Sequence, residues 1–298
     1  MDLKPGDVLA ARFEVISRAG GGGMGSVYRA RDRVGGEVVA LKVLRLPGEE
    51  TTGRFEREAA VLAELRHPGI VRYVAHGVTA SGRAYLALEW LEGEDLSKHL
   101  ARAPMTIRAS VTVARKVAEA LAYAHGRGVV HRDIKPGNVF LRDGRSDQAT
   151  VLDFGIARAA DIGAGLTLTG IMVGTPGYMA PEQARGARDV DPRADVFSLG
   201  CVLFHCLTGQ RAFQGEDAVA VLARVLFEEP RRVRDFAPDV PIELDALVSR
   251  MLGKEPAGRP RSGAEASELL AALGAMPDAP PSRRRDTSIP PNVLTTAG

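Results

Sequence analysis

Between Phe13 and about Leu91 the apolar positions come in short β-branched or aromatic runs separated by glycines. That punctuation predicts strands. One helical segment interrupts them. Over 53–66 the apolar residues Phe55, Ala59, Leu62 and Leu65 fall at helical spacing, and His67-Pro68 closes the run because proline disfavours helix at the residue before it. From Glu92 onward the period changes. Ile107, Val111, Ala114, Ala118 and Leu121 line one face of a long helix ending near Gly126, and further helical runs cover about 194–207, Ala218–Phe227, 242–252 and 264–273. A β-rich part followed by an α-rich part predicts an α+β fold of two lobes with a cleft between them. The N-lobe is expected over about 13–91 and the C-lobe over about 92–273, preceded by an N-terminal extension at 1–12. Residues 274–298, rich in proline and arginine and poor in apolar residues, read as a disordered linker. Within it Arg283-Arg284-Arg285 reads as a solvated tail.

Composition narrows the function classes. The 298 residues are 45% hydrophobic and 26% charged, enough for a large core. Against 39 basic residues stand 37 acidic ones, a net charge of +2, so no overall field draws the molecule to nucleic acid or anionic lipid. Any anion site must be local. The two cysteines, Cys201 and Cys206, lie five positions apart in one apolar helical run, on diverging faces and without a neighbouring ligand cluster. That arrangement argues against a disulfide or zinc and for two buried thiols. The longest apolar stretch, 196–207, contains His205 and is too short to span a bilayer, and no N-terminal segment has a signal-peptide pattern. The expected setting is cytoplasmic, with no membrane segment in this chain.

Candidate chemistry begins at residues 18–28, where Gly20, Gly22 and Gly25 form a G-x-G-x-x-G frame followed by Val27. Lacking a Cβ, glycine lets backbone N–H groups approach phosphate oxygens. Alone, the frame also fits a flexible turn or a dinucleotide-binding turn. The latter requires the glycines to open a helix. Here Val27, Tyr28 and Ala30 lead into a Gly35-Gly36 turn and the strand-like 38–43, which favours a glycine hairpin lying over a nucleotide. Lys42, flanked by strand formers, is placed to reach an anion, and Glu58 on the predicted helix is its candidate carboxylate partner.

Residues 131–138 read His-Arg-Asp-Ile-Lys-Pro-Gly-Asn, directly after a strand-like run. Phosphoryl transfer asks for this mixture: a carboxylate to orient a hydroxyl and accept its proton, a lysine to offset charge, and an amide oxygen to help hold magnesium. Fifteen residues past Asn138 comes Asp153-Phe154-Gly155 at the end of another strand-like run, where an aspartate can bind a hard cation through oxygen.

These motifs together resemble the eukaryotic-type protein kinase family over about Phe13 to Leu273. Gly22-Gly23-Met24-Gly25 and Tyr178-Met179-Ala180-Pro181-Glu182-Gln183 are similar to its bacterial serine/threonine members. The resemblance implies ATP and Mg2+ as cofactors, with Ala19, Gly20, Gly22, Gly23, Gly25 and Val27 around the nucleotide and Ala40 lining the adenine pocket. It further implies Lys42 on the α and β phosphates held by Glu58, Leu88 as gatekeeper, and backbone groups of Glu89 and Leu91 offered to adenine. Asp133 becomes the catalytic base and Lys135 its charge-stabilising neighbour, while Asn138 and Asp153 take the metal. Ile134-Lys135-Pro136 resembles the serine/threonine branch, so the implied partners are protein substrates phosphorylated on Ser or Thr. Thr167 and Thr169 are the implied activation-segment phosphosites, with self-association for autophosphorylation in trans, and Thr175 shapes the substrate pocket. Asp195 resembles a structural anchor, Arg259 pairs with Glu182, and Leu62, Tyr73, His131 and Phe154 form an apolar spine. Ala19 stands where the family carries a larger aliphatic residue. The alternative activity class is a pseudokinase, a binding module that keeps the fold without the chemistry.

Overall fold

A computed structural model of the chain describes residues 3–22, 25–44, 49–79, 82–154, 176–187 and 189–282. These fall into two compact units. The first runs to Glu92 and includes Leu152, Asp153 and Phe154; the second begins at Gly93.

The first unit is built on an antiparallel sheet of six strands, β1 (Val8–Leu9), β2 (Phe13–Gly22), β3 (Gly25–Asp32), β4 (Val38–Leu44), β5 (Tyr73–Val78) and β6 (Ala84–Glu89), in the order β1-β2-β3-β4-β6-β5. Period-two alternation splits its side chains between two faces. Phe13, Val15, Tyr28, Ala30, Val39, Leu41, Val43, Tyr85 and Ala87 form the core on one face, with Phe13 and Tyr85 edge to face at 5.6 Å. On the other, Leu44, Leu86 and Leu88 meet Phe55, Ala59 and Leu62 of α1 (Glu49–Ala63), joined by Tyr73, Leu91 and Leu152. The periodicity located α1 correctly but shifted its bounds. It starts four residues earlier than expected and stops at Ala63, because Glu64 and Leu65 donate to the carbonyls of Val61 and Leu62 in a tighter final turn. The expected N-terminal extension is part of this sheet: β1 pairs with β2, and Leu9 is buried.

In the second unit β7 (Gly93–Asp95), β8 (Val139–Arg142) and β9 (Ala149–Val151) form a small antiparallel sheet. Asp95 caps α2 (Leu96–Arg102) through a hydrogen bond from Lys98 N, and α3 (Ile107–His125) follows. The helix Arg193–Thr208 is buried on nearly every face, including the free thiols Cys201 and Cys206, and ends at Gly209 in the left-handed conformation. Gly263 opens the helix Gly263–Ala272 against α3 so closely that a Cβ would lie 2.5 Å from Ala122 N and 2.6 Å from Ala118 O.

Residues 274–282 depart from the disordered linker read from composition. Met276 and Pro281 are buried, and the segment supplies acceptors to the start of α3: Ile107 N donates to Ala279 O (3.1 Å) and Arg108 N to Pro277 O (2.9 Å). Ser282 N and Oγ donate to the Asp239 carboxylate. The rest of the expected linker, 283–298, lies outside the described residues. Among the described residues no helix is long and apolar enough to cross a membrane.

Two paired carboxylates make the fold acid-sensitive. A bidentate contact from Arg12 (2.7 and 2.8 Å) holds the buried Asp32 carboxyl down to about 2, and Arg261 and Arg250 hold Glu265 down to about 2. The unfolded chain protonates such groups near pH 4, so their stabilisation is complete above about pH 4 and is lost as pH falls toward 2. Asp32→Asn is expected to lower the thermal midpoint at pH 7 and to flatten its fall between pH 4 and 2, measured by circular dichroism melts.

Candidate active site

The glycine hairpin is the first element of the site. Gly20 pairs with Val27, Gly21 with Ser26 and Gly22 with Gly25. Gly25 has φ +149°, and a Cβ there would stand 2.2 Å from Val43 O, so only glycine lets β3 lie this close to β4. A Cβ at Gly20 would meet nothing within 4 Å. Ala19 is exposed at an irregularity in the β2–β3 register.

Register then carries the site across the sheet. Val27 lies opposite Lys42 and Arg29 opposite Ala40; Lys42 lies opposite Leu86 and Ala40 opposite Leu88. Val27, Arg29, Ala40 and Lys42 therefore share one face and are only partly buried, whereas Tyr28, Ala30, Val39 and Leu41 on the other face are sealed in the core. From this row Lys42 Nζ donates to Asp153 Oδ2 at 2.6 Å. Asp153 has φ +46°, a left-handed backbone that a non-glycine residue adopts at a cost of about 1–3 kcal/mol. Glu58 lies on α1; its side chain is outside the described residues, so the pairing expected with Lys42 is too. At the end of β6, Glu89 N donates to Arg72 O (2.9 Å). Leu91 packs with the α1 cluster.

A second constellation lies in the loop from α3 to β8. Lys135 Nζ donates to Asp133 Oδ2 (2.8 Å), and Asn138 Nδ2 donates to both Asp133 O (2.8 Å) and Asp133 Oδ2 (3.0 Å). With its nitrogen turned to Asp133, the Asn138 amide directs its oxygen the other way. The short Pro136–Asn138 turn brings these groups together, and Ile134 anchors the loop by full burial.

What shapes this loop is Asp195, fully buried in the first turn of the Arg193–Thr208 helix. Its carboxylate accepts from His131 N (2.7 Å), Arg132 N (2.7 Å) and His125 Nε2 (2.9 Å). Gly263 N donates to His125 Nδ1 (3.1 Å), which assigns the Nε2–H tautomer that Asp195 needs. Directly after the held amides of His131 and Arg132, Arg132 takes φ +65°, and its carbonyl accepts from Gln183 Nε2 (2.9 Å).

Residues 13–271 match the family of the protein kinase domain. The chain belongs to the protein kinase family. Among curated proteins it is 40% identical over 268 residues to serine/threonine-protein kinase pkn3 of Myxococcus xanthus, a match covering 86% of this chain and 49% of that protein. It is 38% identical over 276 residues to the DNA damage-responsive serine/threonine-protein kinase RqkA of Deinococcus radiodurans, covering 91% and 41%. It is also 38% identical over 282 residues to serine/threonine-protein kinase PknB of Mycolicibacterium smegmatis, covering 91% and 45%. The chain thus spans about half or less of the length of these relatives.

Other residues singled out in the sequence have clear places within their own units of this kinase domain. Arg259 is buried and grips Glu182 with two bonds (2.7 and 3.0 Å) while its remaining donors reach the carbonyls of Gly253, Lys254 and Arg193, so a buried charge is fully paired. Next to it Lys254 sits over the Phe213 ring at 4.1 Å, and burial pushes its ammonium down to about 8. Of the expected spine, Leu62 and Tyr73 pack in one cluster. Gly23, Gly155, Thr167, Thr169 and Thr175 lie outside the described residues. The positioning roles of His125 and Gln183 were not anticipated: a histidine near a helix end and a glutamine after a glutamate carry no local signal for partners 70 and 51 residues away.

Asp195→Ala is expected to destabilise the domain by about 3 kcal/mol or more, because it strands three donors at about 1–3 kcal/mol each. Asp195→Asn, which keeps one acceptor oxygen, is expected to lose less. Urea denaturation of both variants measures the difference.

Proposed function

We propose that this kinase domain is a protein serine/threonine kinase, transferring the γ-phosphoryl group of ATP to Ser or Thr hydroxyls of proteins, its own chain included. The observation that carries the reading is the Asp133–Lys135–Asn138 constellation held in place by Asp195. A carboxylate fixed by two neighbouring donors can orient a hydroxyl and accept its proton as the oxygen attacks phosphorus. Lys135, bonded to that carboxylate, offsets charge on the transferred group.

Lys42 and Asp153 suit the nucleotide end. As a pair at 2.6 Å they neutralise each other; with nucleotide bound, the ammonium would hold phosphate oxygens and the carboxylate would hold a hard cation. Asp153 in the first unit and Asn138 in the second each carry an oxygen donor of the kind magnesium takes, and the ion when bound would neutralise phosphate charge. The glycine hairpin offers backbone N–H groups to the phosphates, and Val27 with Ala40 forms an apolar surface for the base. The free buried thiols fit a reducing, cytoplasmic setting.

Asp133→Asn is expected to cut phosphate incorporation from labelled ATP into a protein substrate by at least about 100-fold. Lys42→Met is expected to do the same, with both variants keeping the circular dichroism spectrum of the parent. Undiminished incorporation in either would remove that residue from the mechanism.

The same reading places autophosphorylation on Thr167 and Thr169, where a phosphate adds about −1.5 to −2 charges for arginines such as Arg132 to pair. Mass spectrometry after incubation with ATP is expected to find phosphate on one or both, and none in the Asp133→Asn protein.

A further inference from the structure

The partly buried row that carries Val27, Ala40 and Lys42 also carries Arg29, to which the motifs give no task. Arg29 lies opposite Ala40, and Ala40 lies opposite Leu88, one residue before Glu89. Its guanidinium carbon stands 5.1 Å from the ring centroid of Trp90, the chain's single tryptophan. Arg29 Nη2 makes a long contact to Glu92 Oε1 (3.4 Å), and Trp90 Nε1 donates to the same oxygen at 2.9 Å. The ion pair is exposed on both sides and holds little by itself. The stack is the stronger tie.

Two observations say this arrangement serves something beyond local stability. First, Arg29 Nε is buried with no hydrogen-bond partner, an unfavourable state that a side chain left to its own stability would relieve. Second, the segment it grips is tied from the opposite side as well. Arg72 exchanges hydrogen bonds with Glu89, its N donating to Glu89 Oε1 (2.8 Å) and its O accepting from Glu89 N, and its guanidinium is bidentate to Glu37 (2.6 and 3.3 Å). Arginines thus anchor both ends of 89–92 to the β3–β4 hairpin, one through Glu37 and one through β3 itself.

We propose that Arg29, acting through its stack on Trp90, is a positioning residue for the nucleotide base. It holds the backbone of Glu89 and Leu91 at a set distance from Val27 and Ala40, so that the slot for a planar purine exists before the ligand arrives. This rests on the kinase reading above. Preorganisation of this kind acts on nucleotide affinity, and leaves the catalytic loop untouched.

The test is calorimetric binding of ADP to the 298-residue chain, together with KM for ATP and kcat at saturating ATP. Arg29→Ala is expected to weaken ADP binding and raise KM by about 3- to 10-fold, the range of one lost cation–π contact, with kcat within about 2-fold of the parent. Trp90→Ala should match it, and the double variant should be no worse than either. Arg29→Lys and Trp90→Phe, which keep a cation and a ring, should each recover part of the loss. Unchanged ADP affinity in Arg29→Ala, with or without a lower melting temperature, overturns the proposal, as do additive losses in the double variant. If Arg29→Ala fails to fold, parental ADP affinity in Trp90→Ala overturns it equally. ADP binding without phosphate transfer in the parent would refute the kinase reading and leave the clamp standing; no ADP binding at all would remove both.

Discussion

The Asp195 carboxylate is the constraint on which the catalytic loop depends. A left-handed Arg132 costs about 1–3 kcal/mol, and a buried charge costs more unless every lone pair is used. Asp195 resolves both at once. It accepts two consecutive backbone N–H groups, the second that of the strained residue itself, and an imidazole N–H, and it sits in the first turn of a helix, where the exposed N–H groups favour negative charge. Because that helix is buried along nearly its whole length, the carboxylate cannot drift, and Asp133 inherits its position. Groups that must act within tenths of an ångström are better carried by such a rigid element than by a loop's own contacts.

In the first unit the constraint is register. Lys42 reaches the same side as Val27 and Ala40 only because strand side chains alternate and β3, β4 and β6 are aligned residue for residue; a shift of one would send the ammonium into the core of Tyr28 and Leu41. Gly25 secures that alignment by admitting β3 against Val43 O. The Lys42–Asp153 pair then joins a sheet residue to one in a strained backbone, a cation and an anion already in contact. A ligand bringing both phosphate oxygens and a metal can exchange with each partner, so separating the pair strands neither.

Helices were legible because their apolar positions repeat at 3.6 residues over two turns or more. Ala218–Phe227 matches its expected bounds, and the others shift by a few residues where caps and tight final turns decide. Motif residues were legible because phosphoryl transfer needs few side-chain types close together in sequence. Partners brought by the fold were not. Helical spacing offered Glu58 for Lys42, a pairing outside the described residues, but nothing local offered Asp153, 111 positions on, which accepts from its ammonium. Arg29 reads as an ordinary strand arginine until the register sets it beside Ala40 and within reach of Trp90.

The segment 274–282 shows why composition misjudges a domain's edge. Its prolines and charges bury little, so nothing local predicts order. The reason for order lies in α3, whose first turn has N–H groups that no earlier turn can receive. Thr106 takes that of Ala109 through its side chain; Pro277 and Ala279 take those of Arg108 and Ile107. A proline carbonyl is as good an acceptor as any, and the lack of an N–H makes Pro277 no poorer in this role. Arg108 then closes on Met276 O and Asp278, fastening the strap to the helix that it caps. The helical period ends at Ala272, yet backbone hydrogen bonds tie the chain to the domain as far as Ser282, because order follows where donors find acceptors and not only where apolar repeats fall.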